Sequence, residues 1–197
     1  MIEFTAFPSI FDNKTHRRFS FNDWESFTSA LSNMSKKPGF KPKKGERSHL
    51  KPSPLITPAV YNEGTTRANV NVIKWAGWCA LDVDEYDTTF EEAVKQFNDY
   101  EYVCYSTASS TKEKPKFRIV FKLDEDVESD QIKHFWYALN KEFNSIGDPQ
   151  TKDLSRMYYI PAVYPNAYNF CFVNKGKNLN PKELMNKYEY VDNSGGF

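Results

Sequence analysis

Apolar and polar positions change period several times along this chain, and each change marks an element. Ile2 to Phe7 alternate as a short strand does. Ser20 reads as the start of a helix, with Asp23 three places on as a relative of the Ser-x-x-Glu capping box. Trp24, Phe27, Leu31 and Met34 then recur at spacings of three and four, which gives that helix one apolar face. Residues 52–77 read as loop and short strands, with a turn at 62–64. In WCALDVDEY an apolar run enters two aspartates, as a buried strand would. Thr88 and Glu91 form a capping box ahead of a helix whose buried face is Phe90, Val94 and Phe97.

YVCYST and KFRIVFKL are two further strands, joined by the polar loop ASSTKEKP. The most periodic helix follows, with Ile132, Phe135, Trp136, Leu139, Phe143 and Ile146 on one face and Gly147 at its end. MYYIPA and AYNFCFV read as strands, and a short helix over 181–187 precedes the soft ending DNSGGF. The order predicts an α+β fold with a mixed or antiparallel sheet and helices packed mainly on one face. One domain is expected over 1–178, containing a basic Pro/Lys-rich loop at 36–54. A short C-terminal helix and flexible tail then fill 179–197.

Composition narrows the class. With 40% hydrophobic and 16% aromatic residues in 197, the chain can bury one sizeable core and is not disordered. Lys plus Arg equals Asp plus Glu at 26 each, so an anionic partner must be met by a local patch. Residues 36–51 supply such a patch, with seven Lys or Arg against one Glu, a local charge of +6. Two readings stay open for it: a solvated loop, or an arm that contacts phosphates through Lys41, Lys43, Lys44 and Arg47. Cys79, Cys104 and Cys171 are widely spaced and form no CxxC pair, so they read as small buried residues in a reducing cytoplasm. No run of about 18 apolar residues and no signal-like N-terminus occurs, which predicts a cytoplasmic protein with no membrane partner.

The candidate chemistry centres on Asp82 and Asp84. Two apart on a strand, they would share a face with Cα atoms about 6.5–7 Å apart, while Leu81 and Val83 face the core. Two hard oxygen donors so placed suit Mg²⁺ or Mn²⁺. The same spacing occurs in glycosyltransferases, in haloacid-dehalogenase-like phosphatases and at ordinary strand ends. Tyr86, where those phosphatases carry Thr or Val, argues against that class. A second cluster sets Ser106, Ser109 and Ser110 before Lys112, Lys114 and Arg118, a strand-loop-strand unit able to receive a triphosphate or to be a polar hairpin tip. A third places Asp148 after the long helix, with Asp153, Ser155 and Arg156 before the next strand. Turn, capping and surface ion-pair roles remain open for these.

Taken together, LDVD (81–84), YSTASSTKEKPKFRIVF (105–121) and DPQTKDLSRMYYIP (148–161) resemble the archaeo-eukaryotic primase superfamily, in particular the primase–polymerase domains of phages and plasmids. YNEGTTRANVNV (61–72) resembles the approach to the first motif, so the resemblance spans roughly 55–165. It implies an RRM-like catalytic core and a DNA primase or primase–polymerase that uses Mg²⁺ or Mn²⁺ for nucleotidyl transfer from nucleoside triphosphates onto a DNA-templated product. Asp82, Asp84 and Asp148 would be catalytic metal ligands. Ser106, Ser109, Ser110, Lys112, Lys114, Arg118 and Arg156 would serve the nucleotide. A replicative helicase is a candidate partner. The second motif of active members carries His where this chain has Ser110, so a non-catalytic DNA- or nucleotide-binding module is the alternative. Rolling-circle nicking enzymes share the fold type but need a paired-His metal motif, and His16, His49 and His134 do not form one.

Overall fold

The computed structural model describes residues 1–15, 17–144 and 153–192. The chain runs β1 (Ile2–Phe7), β2 (Arg17–Phe21), α1 (Trp24–Ser35), β3 (Leu55–Thr57), β4 (Ala59–Tyr61), β5 (Val72–Trp75) and β6 (Trp78–Val83). It continues through α2 (Phe90–Lys95), β7 (Tyr102–Ser106), β8 (Phe117–Lys122), β9 (Val127–Glu128), α3 (Ile132–Glu142), β10 (Tyr158–Tyr159), β11 (Cys171–Asn174) and α4 (Pro181–Lys187). The α+β expectation holds, and every named strand pair is antiparallel.

Three sheets form, ordered β11-β7-β8-β6, β10-β3-β1-β2 and β4-β5-β9. The first is central, and along the chain its strands β6, β7, β8 and β11 are interspersed with α2 and α3. Its order leaves β6, the aspartate strand, at the sheet's edge.

Side-chain alternation divides the core in two. Cys79, Leu81 and Val83 of β6, with Phe117, Ile119 and Phe121 of β8, join α2, α3 and α4 in one apolar cluster. Trp78 and Ala80 of β6, with Val120 of β8, face the other way and meet β1 and Trp24, Phe27 and Leu31 of α1. Helices therefore gather mainly on one face, as expected, while the other is covered by α1 and a second sheet. Gly77 makes the turn from β5 into β6 at φ +82°, where its missing side chain leaves room for Ile2.

Several boundaries differ from the sequence reading. Ser20 lies inside β2 and bonds Glu3 through its hydroxyl, and Asp23 is the true cap of α1, accepting from the Ser26 amide at 2.7 Å. A carboxylate competes well for that role, so the helix begins after it. Likewise Thr89, not Thr88, caps α2 by accepting from the Glu92 amide. Beyond the long helix, MYYIPA supplies only the two-residue β10, and AYNFCFV only the first three residues of the four-residue β11. Gly147, the expected stop of α3, lies outside the described residues. Cys79 and Cys104 are buried free thiols and Cys171 is half-buried and free.

Candidate functional site

Register decides what stands beside the acid pair. Asp82 of β6 lies directly opposite Arg118 of β8, and Arg118 lies opposite Tyr105 of β7, so the three form one row across the sheet. Arg118 Nε donates to Asp82 Oδ1 at 2.5 Å, while its Nη1 donates to the Tyr105 hydroxyl at 3.1 Å and the Tyr159 carbonyl at 3.0 Å. The guanidinium also lies 4.7 Å from the Tyr158 ring centroid and 5.4 Å from that of Tyr105. Burial opposes its charge, yet Tyr105 and Asp82 outweigh that cost and its proton is held even more firmly than usual. Arg118 is thus a fixed cation, its planar fork locked from four sides.

The two aspartates are not equivalent. Asp82 is inside the strand, with 38% of its side chain exposed against 10% for Arg118. Asp84 follows the last residue of β6 and is exposed at the strand's mouth. Partial burial first, then the charge of Asp82, raise the Asp84 pKa, with Lys116, Arg118 and Lys41 pulling the other way. The two carboxylates therefore feel each other through space, and three cations surround them.

A cavity of 890 Å³ opens over Asp82 and Arg118 of this row. Its wall includes Asp82, Arg118, Asp153 and Tyr159 on one side and Lys41, Lys43 and Lys44 on the other. The basic segment is held there by its ends. Gly39 donates to the Val163 carbonyl at 3.0 Å, and the Phe40 amide donates to the Ser53 hydroxyl at 2.9 Å. A Cβ on Gly39 would come within 2.4 Å of the Ala162 Cβ, so only glycine permits this approach. Lys41 then reaches the Tyr159 ring, 5.4 Å from its centroid.

Other sequence candidates lie elsewhere or are otherwise engaged. Ser106 is buried, with its hydroxyl bonded to the backbone of Phe170. Ser110 is also buried and accepts from the Lys116 amide at 3.1 Å, so it fastens the 107–116 loop. Ser109 and Lys112 are exposed on that loop, and Lys114 pairs with Glu85 at 2.9 Å. Arg156 stacks on Trp136 at 4.1 Å. Arg47 is exposed but does not line the cavity. Asp148 lies outside the described residues. Among the described residues no group of three or more potential metal ligands occurs.

Asp153 belongs to the third sequence cluster, where a turn role is open to it, whereas the tyrosines 105, 158 and 159 carry no site signal by residue type alone. The alternation that pairs Tyr105 with Arg118 was present in YVCYST and KFRIVFKL, but only register links them. Asp153 accepts from the Ser155 amide at 2.9 Å in a tight turn, which explains its turn-like sequence signature.

The fold and site describe an α+β domain in which an acid-arginine row faces a basic strap across one cavity. The VapE N-terminal domain family matches residues 56–195, more than two thirds of the chain, and the chain belongs to that family. No curated protein matches it. Among solved structures it is similar to the AEP domain of the cyanophage S-2L primase-polymerase at 9% identity and a TM-score of 0.48, covering 93% of this chain and 86% of that one.

Proposed function

We propose that this domain is a primase-like nucleotidyltransferase that binds a nucleoside triphosphate in the cavity over Asp82. The observation that carries this reading is the convergence of Asp82, a locked arginine and Lys41, Lys43 and Lys44 on one cavity, with Asp84 just beyond the end of the same strand. Membership in the VapE N-terminal domain family and the primase-like motif order support it.

The donor set fits a hard divalent cation. Mg²⁺ is commonly held by one or two carboxylates plus substrate phosphates, and Asp84, whose proton affinity is raised beside Asp82, gains from a cation in the same space. Asp82 through its second oxygen, Asp84 and the undescribed Asp148 are the proposed ligands. A bound Mg²⁺ or Mn²⁺ would supply charge neutralisation for phosphoryl transfer.

The chain's own groups do the rest. Arg118 holds one Asp82 oxygen and so orients the other toward the cavity. Lys41, Lys43 and Lys44 neutralise the triphosphate from the opposite wall, and excess charge on the strap extends to a DNA template. Catalysis would rest on positioning and charge, with little side-chain proton transfer.

One observation favours the non-catalytic alternative. Ser110, which stands where the primase pattern has His, is buried and accepts from the Lys116 amide, and it brings no positive charge to a phosphate. Primer extension and nucleoside triphosphate binding, each measured with Mg²⁺ and with Mn²⁺, separate the two. Extension lost in Asp82→Asn/Asp84→Asn supports the enzyme. Binding without any extension supports the module. Extension that survives the double substitution refutes the proposed site.

A further inference from the structure

A second cavity lies on the far side of the basic strap. It has a volume of 960 Å³, and its floor is one face of β1, β2 and β3. The registers Phe4↔Phe19, Ala6↔Arg17 and Ala6↔Ile56 put these residues side by side on that floor. Ala30 and Met34 of α1 form one wall, while Pro38, Phe40 and Leu50 of the strap and Ala162 beyond it form another. The lining is mostly aliphatic, proline and aromatic, and among the described residues its charged members are Arg17, Lys37 and Lys51, with no Asp or Glu. Among the described residues none of the three cations is in an ion pair.

The strand bordering this groove is unusual. Among the described residues β2 is the last strand of its sheet and pairs only with β1, and it is exposed over four of its five residues. Phe19 leaves 46% of its surface in water while resting 5.2 Å from the Phe4 ring. An edge strand with an exposed aromatic and an apolar trough beside it is an aggregation hazard unless something covers it.

We propose that this groove docks an extended polypeptide segment of a partner that alternates apolar and acidic residues and adds as a strand to the free edge of β2. Three features select that occupant. The unpaired edge offers backbone donors and acceptors in the repeat that a strand satisfies. The trough accepts alternate apolar side chains, and the all-cationic lining selects carboxylates over ammonium groups. A nucleic acid would also meet the cations, but its base edges would lie against aliphatic walls with no hydrogen-bond partners. Phe40, Leu50 and Pro52 line both this groove and the cavity over Asp82, so the occupant touches the back of the strap that bounds the candidate active site.

The test uses the full chain and does not depend on the nucleotidyltransferase reading. Fluorescence anisotropy follows a labelled peptide of about nine residues, the length of an ordinary strand, alternating Leu or Val with Glu or Asp. Matched peptides replace the acids by Lys, block the same residues into apolar and acidic halves, or N-methylate alternate amides. The alternating acidic peptide should bind with saturation, and each matched peptide should bind about tenfold or more weakly. Arg17→Glu with Lys37→Glu, and separately Phe19→Ser, should each weaken binding while leaving the circular dichroism spectrum unchanged. Equal binding of the Lys peptide, or indifference to N-methylation, overturns the proposal. So does binding of oligothymidylate in place of the peptide, or a dimer in light scattering that Phe19→Ser dissolves. These outcomes would assign the groove to nucleic acid or to a second copy.

Discussion

The two faces of the β11-β7-β8-β6 sheet use the same strands for opposite ends. One face carries Leu81, Val83, Ile119 and Phe121 against three helices and is mostly apolar. On the other, one residue along, the row Asp82, Arg118, Tyr105 interrupts Trp78, Ala80 and Val120. The first face needs only shape and burial. The second must keep a charged pair dry on one side and open to a cavity on the other, so it depends on register and on hydrogen bonds that close around Arg118. Strand alternation allows a stable core and a polar site to be built by a shift of one residue, and a slip in register would destroy both.

The largest expected effect tests the apolar face. Phe121 is fully buried and stacks on Phe143 at 5.3 Å, so Phe121→Ala should cost about 3–5 kcal/mol in urea unfolding. A loss below about 1 kcal/mol would mean that this face is not the main source of stability.

Asp82→Asn tests the other face. Breaking a fully buried pair costs about 3–5 kcal/mol, but Asp82 is partly solvated and Arg118 keeps two other acceptors. A loss of about 1–2 kcal/mol is expected after discounting for solvent screening. Arg118→Lys should not restore a stable row, because an ammonium cannot bond Asp82, Tyr105 and the Tyr159 carbonyl with a planar fork. Full stability in that variant would show that the row is merely electrostatic.

Gly39→Ala probes how the strap is moored to the second face. The added methyl meets the Ala162 Cβ, which has no rotamer to yield, so about 1–2 kcal/mol should be lost and the strap should exchange amide protons faster. Protection at the Gly39 and Phe40 amides that matches the unsubstituted chain would contradict this mooring.

The smallest effect concerns Asp84. Its pKa is raised in the folded chain, so between the unfolded and folded values the folded state binds the proton more strongly and stability falls as pH rises. That contribution is complete below the unfolded carboxylate value and gone above the folded one. Asp84→Asn should remove this downward slope and give a slightly higher Tm at neutral pH. Mg²⁺ should narrow the difference between the two proteins. An unchanged pH profile of Tm would place Asp84 outside the field of Asp82.

Much of this architecture could be read from residue order. The 3-and-4 spacing from Trp24 to Leu31 and from Ile132 to Leu139 marked α1 and α3, and the apolar run into Asp82 marked β6, because periodic burial leaves a local imprint. The sequence also marked Asp82, Asp84 and Arg118 as chemically interesting, and the strap as a concentrated positive charge. β2 was missed because four of its five residues are exposed, so no apolar period identifies it, and Ser20 imitated a cap. The serines show a related limit: Ser106 and Ser110 look like ligand groups by type, and only the fold shows their hydroxyls bonding the backbone of Phe170 and of Lys116. Local sequence thus determined which segments bury which faces and where charge concentrates. Only the tertiary fold decided that Asp82 stands opposite Arg118, that Tyr105, Tyr158 and Tyr159 enclose that arginine, and that the strap borders the same cavity. Those contacts join segments far apart in the chain, and the pairing register that selects them is set by the whole core.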